Sequence, residues 1–315
     1  MLARRGIATT LCARREAHAE TIRKARENAA YLPGVALPET LAITSDWSDT
    51  AKSADVLVVA IPSAHARAAL APIAGAIRAD ANVISATKGI EDGTLQTMTQ
   101  MIAEIAPAGV RLAVISGPGF AAEVARDLPA ALVAAARDAA VAEQVQRLFS
   151  GRSLRVYSSI DVAGVELCGA VKNVIAIAAG VSDGLGLGSS ARAAVITRGL
   201  AEIMRLVDAG GGKRETAAGL AGLGDLVLTC TGDLSRNRRA GLALAAGERP
   251  ALEPAPSEHR PIAEGVANAR SVSALAKRLG VEMPIVGAVY RSLYEGQAPN
   301  AMVEELLSRG LKAEF

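Results

Sequence analysis

One central stretch, residues 165–181, constrains the fold more than any other part of the chain. It is apolar on most sides of a helix, which predicts a long helix buried in a core. Lys172 and Asn173 interrupt this surface side by side. Burial disfavours the charged form of a lysine and lowers its pKa from about 10.4 toward roughly 7–8, where it can act as a general acid/base for a carbonyl/alcohol pair. Alternatively, Lys172 reaches the surface beside a helix-capping Asn173.

Length and composition indicate an enzyme of two domains. At 315 residues the chain exceeds the size at which a single core keeps growing. The formal net charge is only +2, and aromatic residues make up 3% of the chain. Neither value favours nucleic acid as a partner, since such binding relies on positive charge and on aromatic stacking.

Cysteines and histidines are too scattered to suggest a metal site. The three cysteines form no C-x-x-C pair, and the three histidines lie far apart without an acidic cluster beside them. We therefore expect no metal and no Ser-His-Asp triad, which leaves a lysine as the best candidate base. The sequence shows no signal peptide and no run of about 20 uncharged apolar residues. We expect a cytoplasmic protein without membrane insertion.

The first half of the chain alternates strand-like and helix-like segments. Unbroken aliphatic runs are typical of strands covered on both faces of a parallel sheet. Such runs occupy residues 7–12, 56–61, 82–87 and 112–116, with a further strand at 154–157 and helical segments such as 64–77 and 94–105. This alternation predicts a doubly wound, Rossmann-like α/β domain over residues 1–158.

In such a sheet a ligand lies beyond the carboxyl ends of the strands. Arg14 and Arg15 follow the first strand, where arginine suits the 2′-phosphate of NADP and an acidic residue would suit NAD. Lys88 follows the third run and could hold an anion or polarise a substrate oxygen, or could be a solvated loop lysine. The turn at 117–119 allows a backbone to approach a ligand closely, or is simply a turn.

The glycine-rich loop that opens a dinucleotide-binding domain is not found in these residues. Such a domain begins with a strand, G-x-G-x-x-G and a helix. Residues 1–6 resemble the last turn of that helix with Gly6 as its C-cap. We therefore expect an N-terminally truncated sheet, from a misassigned start at Met1 or a real truncation.

Beyond about residue 160 the strand pattern ends, which predicts an all-helical domain over 159–315. The proposed helical segments are 162–181, 190–209, 216–219, 236–246, 265–279, 285–294 and 300–309. Residues 247–261 contain four prolines and no apolar periodicity, as in a linker or surface loop.

Two polar sites stand out in this second domain. Asp225, between glycines and an apolar run, is either a helix N-cap or a group that orients Lys172 or binds a substrate hydroxyl. Ser235, Arg236 and Asn237 could form a phosphate clamp at a helix N-terminus. A basic run such as 235–239 is otherwise a solvated face.

Five motifs in order carry a resemblance to a known family. They are Ala-Thr-Lys-Gly (86–89), Ser-Gly-Pro-x-Phe-Ala (116–121), Gly-Ala-Val-Lys-Asn-Val-Ile-Ala-Ile (169–177), Gly-Leu-Gly-Asp-Leu (222–226) and Ser-Arg-Asn-Arg (235–238). Over essentially its whole length the chain resembles the bacterial NAD(P)-dependent glycerol-3-phosphate dehydrogenases. The resemblance implies reduction of dihydroxyacetone phosphate to sn-glycerol 3-phosphate with NAD(P)H, which feeds glycerophospholipid synthesis.

The resemblance also implies roles for individual residues. Lys172 would donate or accept the proton at the reacting oxygen. The implied substrate-binding residues are Lys88, Asp225, Ser235, Arg236 and Asn237. The implied cofactor-binding residues are Lys88, Gly117, Ala121, Arg236, Ile262 and Glu264, to which Arg14 and Arg15 add a slight preference for NADP(H) over NAD(H).

Two rival functions remain at this stage. One is another two-domain reductase of the hydroxyacid or ketopantoate type, which would act on a carboxylate substrate. The other is a catalytically impaired product of truncation that still binds a phosphate metabolite. The sequence leaves room for a homodimer and does not determine the oligomeric state.

Overall fold

A computed structural model describes residues 1–252, 263–311 and 313–314, and within them the chain divides into two compact units. The first contains Met1–Thr87 and Met98–Val162. The second contains Lys88–Thr97 together with 163–252 and the described residues from 263 onward. The predicted domain boundary after residue 158 stays a prediction.

Seven strands in the first unit form two sheets. They are β1 (Thr9–Cys12), β2 (Leu41–Thr44), β3 (Val56–Val59), β4 (Asn82–Ser85), β5 (Arg111–Ser116), β6 (Ala130–Ala135) and β7 (Leu154–Ser159). β1 and β2 pair in parallel, and β3 to β7 form a five-stranded sheet in chain order. Its neighbouring strands run parallel except for the antiparallel pair β5–β6.

Helices alternate with these strands, and most of them bury residues against one of the two sheets. They are α1 (Glu16–Ala25), α2 (Trp47–Ser53), α3 (Ser63–Leu70), α4 (Met98–Ile105), α5 (Ala121–Ala125) and α6 (Ala139–Phe149). Capping fixes two helix starts, because Asp46 accepts the N–H of Asp49 at α2 and Asp138 accepts that of Ala140 at α6. The predicted α/β class with a Rossmann-like sheet is confirmed.

Sequence reasoning found five of these strands and missed β2 and β6. β6 is rich in alanine, a residue with weak strand preference, although Ala134 and Ala135 are fully buried. The predicted helix at 94–105 was wrong in its first turn. Leu95 has a left-handed φ of 59°, and α4 begins only at Met98.

The expected glycine cap near the N-terminus is confirmed. Residues Ala3–Arg5 form a 3₁₀ turn, and Gly6 ends it with φ 76° and an N–H donated to the Ala3 carbonyl. A left-handed φ of this kind favours glycine, because other residues are strained there.

The second unit is built from helices. They are α7 (Val162–Gly184), α8 (Gly188–Ala209), α9 (Arg214–Ala218), α10 (Asp225–Thr231), α11 (Arg236–Ala245), α12 (Glu264–Leu279), α13 (Pro284–Tyr290) and α14 (Pro299–Leu307). π-helical turns at Leu220–Gly224 and Arg291–Glu295 join two of them. The predicted helical character is confirmed, and the prediction of a loop at 247–261 lies largely outside the described residues.

Helix α7 forms the core of this unit. Every residue from Gly164 to Ser182 is buried. By length and composition α7 could cross a membrane, but 89% of its most apolar window is buried inside the protein. A core helix satisfies the same criteria, so the prediction that nothing inserts in a membrane stays a prediction.

Three glycines let α11 pack directly on the backbone of α7. A Cβ on Gly180 would lie 2.0 Å from the Arg238 carbonyl oxygen, and one on Gly241 would lie 2.1 Å from that of Ile177. A Cβ on Gly184 would lie 2.6 Å from the Ala245 Cβ. Side chains at these positions would push α11 away from the C-terminal part of α7.

We expect Gly180→Ala to destabilise the protein by about 1–3 kcal/mol, because the methyl group meets fixed backbone. Thermal unfolding followed by circular dichroism should show a lower Tm. The matched control is Gly75→Ala, where a Cβ would have no atom within 4 Å and should leave Tm nearly unchanged. Equal melting of Gly180→Ala and wild type would contradict the close approach.

Candidate active site

Two lysines in the second unit share one buried carboxylate. The Lys172 ammonium donates to Asp225 Oδ1 at 3.0 Å, and the Lys88 ammonium donates to Asp225 Oδ2 at 2.6 Å. Asp225 is 1% exposed and Lys172 6%. Lys172 therefore does not reach the surface, and Lys88 is not a solvated loop residue.

The chain before Asp225 brings its carboxylate inward. The π-helical turn Leu220–Gly224 continues directly into α10. Gly224, the residue before Asp225, already has helical backbone angles, and no side chain caps the start of α10. Gly222 has no room for a Cβ, which would lie 2.0 Å from the Ala217 carbonyl oxygen. Asp225 is thus the first residue of α10 rather than its N-cap, and its carboxylate is free for the lysines.

A threonine completes the surroundings of the Lys172 ammonium. Thr229, one turn after Asp225 on α10, donates its hydroxyl to the Asp225 carbonyl at 2.6 Å. Its oxygen accepts from the Lys172 Nζ at 2.7 Å. Sequence reasoning missed Thr229, although the i, i+4 spacing from Asp225 would have identified it once α10 was recognised.

These surroundings perturb both ionisable groups. Burial, followed by the positive charge of Lys88, lowers the pKa of Lys172 to about 8, and the carboxylates of Asp225 and Glu264 oppose this effect only in part. Burial alone would raise the pKa of Asp225, but the two lysines outweigh it and hold that pKa below its ordinary value. Asp225 is therefore ionised at neutral pH, and Lys172 can gain or lose a proton near it.

A second network joins Asn173 to helices α11 and α12. The Asn237 amide donates to Asn173 Oδ1 at 2.8 Å and accepts the Gly265 N–H at 2.8 Å. The Asn173 amide in turn donates to Glu264 Oε2 at 3.4 Å. Asn173 is therefore no helix cap, and it places Asn237 and Glu264 around the helical turn that carries Lys172.

At the basic turn that begins α11, one side chain is held by a hydrogen bond and another is available to bind a ligand. Ser235 is buried and caps the helix, since its hydroxyl oxygen accepts the Arg238 N–H at 3.1 Å. Arg236 is exposed, and among the described residues it has no hydrogen bond or ion pair. An unpaired guanidinium at a helix N-terminus is available to bind an anion.

The first unit offers a surface of the kind that binds a dinucleotide. Arg14 and Arg15 are exposed between β1 and α1. Gly117 follows β5 with φ 134°, and a Cβ there would lie 3.0 Å from the Leu132 Cα. The Ser116 hydroxyl at the end of β5 is buried without a partner among the described residues. The exposed basic pair and the unsatisfied hydroxyl at a strand end fit a nicotinamide cofactor, whereas the missing Cβ of Gly117 lets the chain pack against β6.

The predicted site residues thus fall into groups. Lys88, Lys172 and Asp225 are in direct contact, and the Asn173 network links Asn237 to Glu264. Ala121 is the exposed first residue of α5. Ile262 lies outside the described residues. Within the described residues no group of three or more potential metal ligands occurs.

Comparisons with known proteins agree with this site. The family described as NAD-dependent glycerol-3-phosphate dehydrogenase N-terminus matches residues 1–142, and the corresponding C-terminus family matches 161–304. A protein of Geobacter sulfurreducens named glycerol-3-phosphate dehydrogenase (NAD(P)+) is 50% identical, over 100% of this chain and 94% of its own. A protein of the same name from Thiobacillus denitrificans is 47% identical, over 98% and 93%.

A crystal structure of glycerol-3-phosphate dehydrogenase from Coxiella burnetii has the same fold. It superposes with a TM-score of 0.91 at 40% identity and covers 98% of this chain and 94% of its own. Because the two family matches span most of the sequence and the identity extends over its full length, the chain belongs to the NAD-dependent glycerol-3-phosphate dehydrogenase family.

Proposed function

We propose that this protein reduces dihydroxyacetone phosphate to sn-glycerol 3-phosphate with NADH or NADPH, a step that supplies glycerophospholipid synthesis. The observation that carries the proposal is the buried Lys172, with a pKa of about 8, held between Asp225 and Thr229. Such a group can protonate an alcohol oxygen near neutral pH, and its surroundings keep it in one orientation. Membership of the family supports the same reaction.

Lys172 is the proton donor in this reaction. The nicotinamide cofactor supplies the hydride to the carbonyl carbon when it is bound. Negative charge then develops on the carbonyl oxygen, which takes a proton from the Lys172 ammonium and becomes the product hydroxyl. Lys172 is left neutral, and Asp225 keeps the amine in place until it regains a proton from solvent. Lys88 adds a second positive charge that stabilises the developing alkoxide.

The substrate phosphate is bound by the turn Ser235–Arg236–Asn237. Arg236 supplies an unpaired guanidinium, and the N-terminus of the ten-residue α11 supplies peptide N–H groups. Asn237 is fixed by Asn173 and Gly265, so the turn keeps its shape without ligand. Asp225 and Lys88 contact the hydroxyl and carbonyl end of the substrate.

The cofactor is bound by Arg14, Arg15, Gly117 and Ala121 of the first unit, with further contacts from Lys88, Arg236, Ile262 and Glu264. The arginine pair favours NADPH slightly, since a guanidinium suits a 2′-phosphate better than a ribose hydroxyl. A cytoplasmic location and a homodimer complete the proposal.

The two rival functions are not favoured. A ketopantoate-type reductase recognises a carboxylate, whereas the match to glycerol-3-phosphate dehydrogenases extends over the full chain. In an inactive phosphate-binding protein, a buried lysine pair on one carboxylate would reduce stability without contributing to catalysis.

Lys172→Ala should abolish the reaction. We expect kcat for NADPH oxidation with dihydroxyacetone phosphate to fall by about 10²–10⁴-fold, the usual contribution of a general acid. The matched control is Lys213→Ala, at the residue before α9, which should keep wild-type kcat. Wild-type protein without dihydroxyacetone-phosphate-dependent oxidation of either cofactor would refute the proposed function.

The pH profile should follow the pKa of Lys172. Reduction needs the ammonium form, so kcat/KM for reduction should be flat from pH 7 and fall above pH 8. Oxidation needs the neutral amine, so its kcat/KM should rise over the same range. The substrate phosphate does not titrate there, since its second pKa is about 6. If kcat/KM still changes over this pH range in Lys172→Arg, the pH dependence belongs to another group.

Arg236→Ala should weaken binding of the substrate phosphate. A lost charged hydrogen bond of about 1.5–3 kcal/mol corresponds to a KM for dihydroxyacetone phosphate raised roughly 10–150-fold. Activity with phosphate-free dihydroxyacetone should fall much less, because only the cofactor contact of Arg236 is lost there. Arg239→Ala, an exposed arginine on the same helix, serves as the control. An unchanged KM in Arg236→Ala would reject the clamp.

A further inference from the structure

Asn268 joins the two backbone segments that carry the lysines. It lies on α12 and is 0% exposed. Its Nδ2 donates to the Lys88 carbonyl at 3.0 Å and to the Ala170 carbonyl, two residues before Lys172 on α7, at 3.3 Å. Both hydrogens of a single amide are thus committed to the main chain beside the two lysines.

The orientation of the Asn268 amide follows from its two carbonyl partners. With the amide reversed, its oxygen would face two carbonyl oxygens, which repel it. In the observed orientation Oδ1 is buried without a partner in the described part of the chain. An unsatisfied buried acceptor destabilises the folded protein, so the amide is retained in spite of that cost.

Other contacts hold the Lys88 segment to the same helix. Arg270 pairs with Asp92 at 2.6 Å, and Arg278 donates to the carbonyls of Thr94 and Leu95 at 3.2 Å each. These contacts are exposed and lie toward the far end of the segment. Of the contacts from α12, that of Asn268 reaches Lys88 itself, and Asn268 is fully buried.

We propose that Asn268 is a positioning residue that holds the Lys88 backbone against α7, so that Lys88 and Lys172 meet the same carboxylate. The inference rests on the proposed function, because it concerns the acid of that reaction. A lysine side chain is long and flexible, and fixing its backbone reduces the freedom lost when its ammonium is held in one place. Asn268 acts through the lysines and does not contact the substrate.

Loss of Asn268 changes the charges around Lys172. The groups that face Lys172 are Lys88, Asp225 on α10, Glu264 on α12 and the Cys230 thiol. If Lys88 moves away, Lys172 loses a repelling charge and shares Asp225 with no other cation. Both changes favour the ammonium form of Lys172, so its pKa should rise.

The test is a ¹³C NMR titration of full-length protein labelled at the lysine ε-carbon. The chain has only seven lysines, and Lys172→Met assigns the resonance. We expect the pKa of Lys172 to rise by about 1 unit in Asn268→Ala, as when a like charge is removed from a buried pair. Asn268→Val leaves a smaller cavity than Asn268→Ala and should raise the pKa of Lys172 by the same amount. If Asn268→Ala folds poorly, the Asn268→Val titration decides whether Asn268 positions the lysines.

Two matched controls separate positioning from general damage. Ser271→Ala removes a buried hydroxyl on the same helix, whose hydrogen bond within the described residues goes to the Asn268 carbonyl at 3.4 Å. Arg278→Ala releases the far end of the Lys88 segment. Neither should shift the Lys172 titration. A folded Asn268→Val protein with the wild-type Lys172 titration would overturn the proposal.

Kinetics provide a second readout. In Asn268→Val the alkaline limb of kcat/KM for reduction should move to higher pH together with the NMR titration, and kcat should fall by about 10–100-fold through misplacement of the lysines. A fall in kcat without a shift of the limb would show a purely structural role and contradict positioning. Because the titration needs no substrate, it still decides the role of Asn268 if the wild type does not reduce dihydroxyacetone phosphate.

Discussion

The sharing of Asp225 by Lys172 and Lys88 is the interaction on which the second unit depends. Three charges are taken out of water there, and each loses hydration that the other two must replace. Such an arrangement needs hydrogen bonds from the surrounding helices to replace part of the lost hydration. The Thr229 hydroxyl and the backbone contacts of Asn268 meet that need from α10 and α12.

The packing of the helices serves the same geometry. Glycines allow α11 to approach α7 at backbone distance, and Gly265 allows α12 to approach Asn173, where a Cβ would lie 2.5 Å from a carbonyl oxygen. Close approach shortens the reach that Asn237 and Asn268 need, so two short amide side chains can join three helices. Small residues thus allow close helix packing, and that packing holds the polar side chains in fixed positions.

The sequence allowed the strands of the first unit and the long helices of the second to be predicted, because unbroken aliphatic runs and long apolar helices have strong patterns. It also singled out Lys172, since a lysine inside an apolar helix is rare. Thr229 could be found from its i, i+4 spacing to Asp225 only once α10 was recognised, and that helix follows a π-helical turn rather than a capping residue. Asn268 could not be predicted, because its role depends on a contact with Lys88 180 residues away, which leaves no local pattern.

The charge of the cluster explains why such an arrangement suits an anionic substrate. Lys172 and Lys88 carry two positive charges on the single carboxylate of Asp225, and Glu264, which Asn173 contacts, offsets them only in part. A site with excess buried positive charge is improved by an anion, whether a phosphate or the alkoxide that forms during reduction. The burial and the Lys88 charge that lower the pKa of Lys172 are therefore opposed as negative charge develops on the alkoxide, which favours the transition state over the ground state.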